Sequence, residues 1–275
     1  MSELKFDSDG FEIVRIKKGL KNKSTKVPPK NIHFEKQENK IDVVKSYRRI
    51  ETCVEDLEIS EYWKNANKAV SNILKHEKIV EIVCFGLGHI GECNISRYQL
   101  ALLLCIKKTF KPEKVLVHDP IFYIDECEIL KKFQLNVIEE NTEGSYIINK
   151  HGVTLVYLPH CPKQLTNNFL WSNWTDSLKN CILLCNSFTS LLENNITRVI
   201  NETVPLIYKI HPFIHEVSLE NSFTYKDIFN DTSLHYFPRE KLKLVPKDFW
   251  EKQDKPKYEN TEEFITSLMI EKLTI

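Results

Sequence analysis

The sequence lacks a net charge. Lysine and arginine together number 38, and aspartate and glutamate together also number 38, so the formal charge at neutral pH is zero. A chain without an excess of one sign has no overall field that would draw it to nucleic acid or to an anionic membrane. We therefore expect neither a membrane nor a nucleic acid as its partner.

Long hydrophobic runs are also missing. No stretch approaches the roughly 18 consecutive apolar residues that a membrane-spanning helix requires. The opening residues, MSELKFDSDG, have neither the basic start nor the apolar stretch of a secretory signal. Both absences predict a cytoplasmic protein, with the nucleus as a second location.

The cysteines show none of the spacing that a structural zinc site requires. There are eight of them, and no two form a Cys-x-x-Cys pair. Several lie inside apolar runs such as EIVCF and ALLLC, where a thiol behaves as a small buried hydrophobe. Cys181 and Cys185 share one predicted strand, with both thiols in a buried layer. The sequence therefore predicts reduced cysteines and no metal site.

Composition divides the chain into four parts. The N-terminal part is rich in Lys and Asn and carries Pro28 and Pro29, which disfavour helix. The next part has apolar residues at three- and four-residue steps, with Ser60 placed to cap a helix. The expected parts are a disordered basic tail over 1–40, a helical addition over 41–77, a main domain over 78–250 and a C-terminal extension over 251–275.

From residue 79, short β-branched runs alternate with longer helical stretches. The apolar runs are IVEIVCF, KVLVHD, LNVIEE, VTLVYL, NCILLC and PLIYKI. Short strands buried on both faces and joined by helices are typical of a parallel sheet with right-handed crossovers. We therefore predict a Rossmann-like α/β fold, with a mainly parallel sheet flanked by helices and an N-terminal helical addition. Strands are expected near 80–85, 114–118, 136–140, 153–158 and 181–186.

A glycine-rich segment, GLGHIG at residues 86–91, follows the first predicted strand and precedes a helix expected to start at 94–96. In a dinucleotide or nucleoside site, such glycines allow a tight turn and close approach of the ligand. The next strand ends in Asp119, whose carboxylate could bind a ribose diol. Asp119 follows Gly91 by 28 residues, more than the usual ~20, and a turn kept only for close packing of strand and helix is an equal alternative. The candidate cofactors are S-adenosylmethionine and a dinucleotide.

Polar residues also follow the other predicted strands, where ligands of open α/β sheets bind. Arg97 falls in the first turns of the helix after the glycines, where a cation opposes the helix dipole. It is expected either to hold an anionic ligand group or to pair with Asp119 or Asp231. The adjacent His160 and Cys161 do not predict a catalytic pair, because neighbouring residues of an extended segment point to opposite faces.

The segment FNDTSLH, residues 229–235, is too polar for a buried strand, so a loop is expected there. Either Asp231 caps a local turn, or the loop folds over the carboxyl edge of the sheet and brings Asp231 and His235 to the site. The full set of candidate ligand-binding residues is Gly86, Gly88, Gly91, Arg97, Gln99, Asp119, His160, Asn186, Ser187, Asp231 and His235.

The chain also resembles a known family. The succession CFGLG, SRYQLALLL, HDPIF, ENTEG, LPHCPKQL, LWSNW, CNSF and FNDTSLHYFP, over roughly residues 78–250, is similar to the sensitivity-to-red-light-reduced family, whose animal members are called SRR-like domain proteins. His118 and Thr166 depart from the family pattern, which often has aromatic residues there. The resemblance implies a regulatory protein with protein partners, a role in circadian clock input or clock-gene expression, and, for animal members, regulation of heme biosynthesis.

Three functions remain open at this point. The first is a regulatory protein with an inherited Rossmann-like pocket for a small molecule. The second is a nucleoside-cofactor-dependent transferase of the methyltransferase kind, and the third is a pure protein-interaction module. No heme attachment motif such as Cys-x-x-Cys-His is present, so we expect no stoichiometric heme in the domain.

Overall fold

The computed structural model describes residues 41–149, 151–251 and 253–258. The predicted tail over 1–40 and the periodic stretch EEFITSLMIEKL of the C-terminal extension lie outside these residues. Within the described ranges, none of the helices is both long enough and apolar enough to span a membrane.

Two amphipathic helices open the described part of the chain, α1 (Val43–Glu58) and α2 (Glu61–Leu74). The hydroxyl of Ser60 accepts a hydrogen bond from the N–H of Trp63 at 3.1 Å, which confirms the predicted helix cap. The buried stripe of α1 packs against the helix that follows the glycine loop. These helices therefore cover one face of the sheet.

In the described part of the chain, seven strands form one sheet in the order β3-β2-β1-β4-β5-β7-β6. Strands β1 to β5 run parallel to one another, whereas β7 is antiparallel to both β5 and β6. The predicted Rossmann-like fold and its parallel sheet are confirmed, although β3 is shorter than expected. The strands are β1 (Ile79–Phe85), β2 (Lys114–His118), β3 (Asn136–Val137), β4 (Val153–Leu158), β5 (Cys181–Asn186), β6 (His215–Ser218) and β7 (Thr232–Tyr236).

The remaining helices cover both faces of this sheet, with one apolar core on each face. Alternate residues of the inner strands point into opposite cores, as expected for strands buried on both sides. The helices are α3 (Asn94–Phe110), α4 (Ile124–Lys132), α5 (Lys163–Ser172), α6 (Phe188–Glu193), α7 (Thr197–Thr203), α8 (Pro205–Ile210) and α9 (Arg239–Leu242), with 3₁₀ turns at Asp176–Asn180 and His211–Phe213.

The run PLIYKI does not continue the series of strands, because it forms helix α8. Pro205 occupies its first turn, where the missing N–H costs nothing. Leu206, Ile207 and Ile210 are buried, which is the spacing of one helical face rather than the alternation of a strand.

The segment FNDTSLH is not a loop, since its second half belongs to strand β7. The backbone of β7 pairs with β5 on one side and β6 on the other. Thr232, Ser233 and His235 are all buried. The prediction of a loop was wrong because backbone pairing on both sides stabilises a strand whose side chains are polar.

Three buried asparagines fix helix α5 in place. Asn167 and Asn168 hydrogen-bond to the hydroxyl of Tyr258 at 2.9 and 3.0 Å. The amide of Asn173 accepts from the N–H of Ile148 and donates to the carbonyl of Tyr146. The family segments around QLTNN and LWSNW therefore join α5 to segments on either side of it.

Candidate functional site

The glycine loop connects β1 to α3 through two left-handed residues. Gly86 and Gly88 have φ values of +73° and +71°, which side chains other than glycine rarely adopt. The N–H of Gly86 donates to the carbonyl of His118 at 3.0 Å. A Cβ atom on Gly86 would clash with the Sγ of Cys161, so the loop passes directly against the chain that leaves β4.

Carboxylate side chains of the protein accept hydrogen bonds from backbone N–H groups of this loop. Gly88 donates to Oδ2 of Asp119 at 2.7 Å, and Gly91 donates to Oε1 of Glu126 at 2.9 Å. The second oxygen of Asp119 accepts from the N–H of Ile121 at 3.0 Å. The N–H groups of Gly88 and Gly91 are thus already paired, and Asp119 is engaged where a ribose would need it.

Glu126 is the central residue of this arrangement, and the sequence analysis missed it. Its side chain is 0 % exposed and lies 3.1 Å from Nδ1 of His89. It also accepts from the N–H of Tyr123 at 2.9 Å, as the N3 residue of a helix accepts from its N-cap. The signal in the sequence was weak, because the N-cap is a tyrosine rather than serine or threonine.

Arg97 and Gln99 lie on the α3 side of the loop. The guanidinium of Arg97 donates to the carbonyl of Gly91 at 3.1 Å and to Oδ1 of Asn94 at 3.4 Å. Within the described ranges, neither Asp119 nor Asp231 forms an ion pair with it, so that expected pairing is not formed. Gln99 is buried within α3.

An open cleft of about 440 Å³ lies beside the glycine loop, at the carboxyl ends of β4 and β5. Because β7 is antiparallel, its first residue lies at the same edge of the sheet as the last residue of β5. The cleft thus brings together three predicted site residues, Asn186, Ser187 and Asp231. Its other lining residues are Leu158, Cys161, Lys163, Thr166, Phe188, Ser190, Leu191, Asn194, Asn195 and Ile207.

The rim of the cleft is joined by hydrogen bonds between strand ends. Nε2 of His160 lies 3.0 Å from the carbonyl of Asn230, and the N–H of Ser187 donates to the carbonyl of Asp231 at 3.0 Å. His160 and Asp231 both have left-handed backbones, with φ of +47° and +53°. Such backbone strain in residues other than glycine often accompanies ligand sites.

His235 does not reach this rim, contrary to the expectation that a loop would carry it there. It points from β7 into the core behind the cleft, where its ring stacks on Phe188 at 4.0 Å. Its Nδ1 lies 3.5 Å from Sγ of Cys185 and its Nε2 lies 3.6 Å from Glu216. The prediction failed because strand alternation, not loop folding, sets the direction of this side chain.

Glu216 on β6 ties the start of α6 to the edge of the sheet. It accepts hydrogen bonds from the hydroxyl of Ser187 and from the N–H and hydroxyl of Thr189. Burial alone would raise the pKa of Glu216, but the hydrogen bonds from His235, Ser187 and Thr189 outweigh it and hold that pKa well below the usual range. Glu216 is therefore a poor general base for Ser187.

The thiol in the cleft is not an activated nucleophile. Sγ of Cys161 donates to the carbonyl of Phe85 at 3.1 Å. Burial raises the pKa of Cys161 well above its ordinary value, and the nearby Asp119 adds to the effect. His160 is directed to Asn230 rather than to this thiol. A buried neutral thiol without a base does not attack substrates.

No group of three or more His, Cys, Asp or Glu side chains that could hold a metal ion occurs among the described residues. Cys181 and Cys185 are both buried and free of disulfides.

The chain matches a known protein family. The family model of the SRR1 domain matches residues 54–236. This chain belongs to the SRR1 family. The predicted resemblance to the sensitivity-to-red-light-reduced proteins is thus confirmed. The matched region contains the glycine loop and all residues of the cleft, and it ends at the last residue of β7.

Several proteins are similar to this SRR1-family chain. An SRR1-like protein of Drosophila melanogaster is 31 % identical over 214 residues, which is 74 % of this chain and 72 % of that protein. An SRR1-like protein of Mus musculus is 38 % identical over 134 residues, 48 % of this chain and 53 % of that protein. The Arabidopsis thaliana protein SENSITIVITY TO RED LIGHT REDUCED 1 is 28 % identical over 172 residues, 60 % of this chain and 61 % of that protein.

Among solved structures, the B. subtilis m1A22 tRNA methyltransferase TrmK is similar with a TM-score of 0.34 and 12 % identity, over 65 % of each chain. The matches to the mouse and Arabidopsis relatives span less than two thirds of those proteins. What the relatives do as whole proteins therefore bears on this chain only as a proposal.

Proposed function

We propose that this SRR1-family chain is a regulatory protein that binds a small polar molecule in the carboxyl-edge cleft and acts through protein partners. The observation that supports this most is the combination of an open, polar-lined cleft with the absence of an activated nucleophile among its lining residues. We expect such a cleft to bind a molecule without transforming it. A regulatory protein needs that property to respond to a metabolite.

The dimensions and lining of the cleft suit a small ligand. Its volume of about 440 Å³ falls within the roughly 300–1,000 Å³ typical of small-molecule sites. Leu158, Phe188 and Ile207 provide apolar surface at its base, and Asn186 and Ser190 provide polar groups. Apolar surface with a few polar groups is the usual composition of such sites.

The biological role that we propose follows the family. It is a role in circadian clock input or clock-gene expression and in the regulation of heme biosynthesis, in the cytoplasm and also in the nucleus. Membership of the SRR1 family supports this role, as does the name of the Arabidopsis relative, which refers to sensitivity to red light.

A second candidate function is that of a transferase with a nucleoside cofactor. The placement of the glycine loop after β1 and of Asp119 after β2 favours it. Asp119 would then have to exchange the N–H of Gly88 for the hydroxyls of a ribose. The Asp119→Asn variant separates the two functions, since only the transferase would lose binding of S-adenosylmethionine.

Binding is tested by thermal shift of the purified full chain with nucleotides, S-adenosylmethionine, NAD, NADP and heme, because a ligand of the native state raises its melting temperature. A Ser190→Phe substitution fills the cleft, and Ser222→Phe makes the same change at an exposed position outside it. In cells that lack the protein, Ser222→Phe should restore heme content and clock rhythm, whereas Ser190→Phe should not. Full rescue by Ser190→Phe would contradict the proposal.

Regulation of heme synthesis is proposed without heme bound to the domain. Heme added to the purified protein should give no Soret band that saturates at one equivalent. A band that does so, and that disappears when a single His or Cys is replaced, would contradict this part of the proposal.

A further inference from the structure

Two side chains of opposite charge, Lys163 and Asp231, line the cleft. Among the ion pairs formed by the described residues, neither appears. The cleft therefore presents one positive and one negative group to whatever enters it.

We infer that the cleft binds a small bipolar molecule, which offers an anionic group to Lys163 and O–H or N–H donors at its other end to Asp231. This inference rests on the proposed function, because it names the chemistry of the ligand in the same cleft. It fits a phosphate or carboxylate at one end and a diol or an ammonium at the other.

The position of Lys163 is unfavourable unless an anion binds beside it. It is the first residue of α5, and the first turn of this helix contains no acidic residue. The N-cap, Pro162, makes no side-chain cap to the free N–H groups. A lysine at this end of a helix opposes the helix dipole. An anion at this point would contact the ammonium and the free N–H groups together.

Asp231 is held in place by its backbone, which leaves its carboxylate available. Its carbonyl accepts from the N–H of Ser187, and its φ of +53° keeps it at the rim. No described residue donates a hydrogen bond to its carboxylate, so the alternative that Asp231 caps a local turn is not supported. Carboxylates with unused lone pairs bind hydroxyl or ammonium groups.

Other residues that line the cleft suit the less polar part of such a molecule. The side chain of Asn186 can both donate and accept, and Phe188 and Ile207 provide apolar contacts. A molecule with polar ends and a less polar middle would match this set of groups.

Isothermal titration with whole molecules and their halves tests the inference. Adenosine 5′-monophosphate carries a phosphate and a ribose diol, and its halves are inorganic phosphate and adenosine. L-Methionine carries a carboxylate and an ammonium. Its two halves are the analogue that lacks the amino group and the analogue that lacks the carboxylate. We expect at least one whole molecule to bind more tightly than both of its halves.

Each charge should control its own half of the ligand. Lys163→Met should weaken the whole molecule at least about tenfold, because a charge-assisted hydrogen bond is lost, and should leave the half without the anion unchanged. Asp231→Asn should weaken the whole molecule similarly and leave inorganic phosphate unchanged. Lys247→Met and Asp227→Asn, at exposed positions outside the cleft, should bind as the unsubstituted protein does.

The inference is overturned if no whole molecule binds more tightly than its halves, or if both variants keep full affinity. A ligand that Ser190→Phe excludes, but that neither charge affects, would overturn this inference and leave the proposed function intact. Rescue of cells by Ser190→Phe would instead remove the proposed function itself. No variant should melt below the unsubstituted protein, which excludes loss of folding as the cause.

Discussion

The glycine loop and the cleft lie at the same edge of one sheet and use their polar groups in opposite ways. At the loop, Asp119 and Glu126 accept the backbone N–H groups that a ligand would otherwise take. At the cleft, Lys163 and Asp231 have no ionic partner among the described residues and face open space. The glycine motif thus indicates the conformation of the backbone, whereas charged side chains without ionic partners indicate where a ligand can bind.

Replacing Glu126 should destabilise the glycine loop. Glu126→Gln places an amide NH₂ beside backbone donors in a fully buried site. We expect the free energy of unfolding to fall by about 2–4 kcal/mol, measured by urea denaturation. Glu128→Gln, at an exposed position of the same helix, is the control. Equal effects of the two substitutions would show that the loop does not depend on the Glu126 carboxylate.

Substitution of Gly86 should distinguish the energetic cost of backbone strain from the cost of steric contact. Gly86→Ala forces alanine into a left-handed conformation, at about 1–2 kcal/mol, and adds a contact with Cys161. Combining it with Cys161→Ala should remove the contact and keep the strain. The free energies of unfolding of both single variants and the double variant give the coupling between them. Additive effects would mean that the loop and the β4 end do not touch.

Glu216 should make the stability of the region around the cleft depend on pH. Its folded pKa is lower than its ordinary value of 4.5, so its contribution to stability is present above that value and is lost as the pH falls below it. Glu216→Gln should cost about 1–2 kcal/mol at neutral pH and make the loss of stability between about pH 5 and pH 3 shallower. Denaturation at a series of pH values measures both, with exposed Glu220→Gln as the control. An unchanged slope would contradict the assignment.

The smallest change in stability should come from Lys163→Met. Removing a cation from the start of α5 relieves its conflict with the helix dipole, so stability should stay the same or rise by about 0.5 kcal/mol or less. The measurement is again urea denaturation without ligand. A clear loss of stability would show that Lys163 supports the fold, as Asp119 and Glu126 do at the glycine loop.

Much of the fold could be predicted because it depends on local pattern. The runs IVEIVCF, VTLVYL and NCILLC are apolar throughout, as strands buried on both faces must be. Strand β7 could not be predicted in this way, because its polar residues are stabilised by pairing with β5 and β6, which come from distant parts of the chain. For PLIYKI, Pro205 was the local signal of a helix, and a short apolar run alone does not distinguish helix from strand.

The site could be predicted only in part. Asn186 and Ser187 follow from the rule that ligands bind where parallel strands end. Asp231 was expected there from a polar loop, and it reaches this edge because the strand that follows it, β7, is antiparallel to β5. Glu126 and Lys163 could not be placed, because their positions depend on how α4 and α5 dock at the edge of the sheet. Such docking is set by packing of the cores and leaves no short motif in the sequence.

The position of β7 has a consequence for the synthesis of the protein. Strand β5 is apolar and almost wholly buried, and its outer edge pairs with β7, which the ribosome produces much later. Until residues 232–236 have left the exit tunnel, that edge has unpaired backbone groups and can recruit another nascent chain. A stop codon before this segment should therefore yield an aggregating product, and chaperones should associate with the chain during this interval of translation.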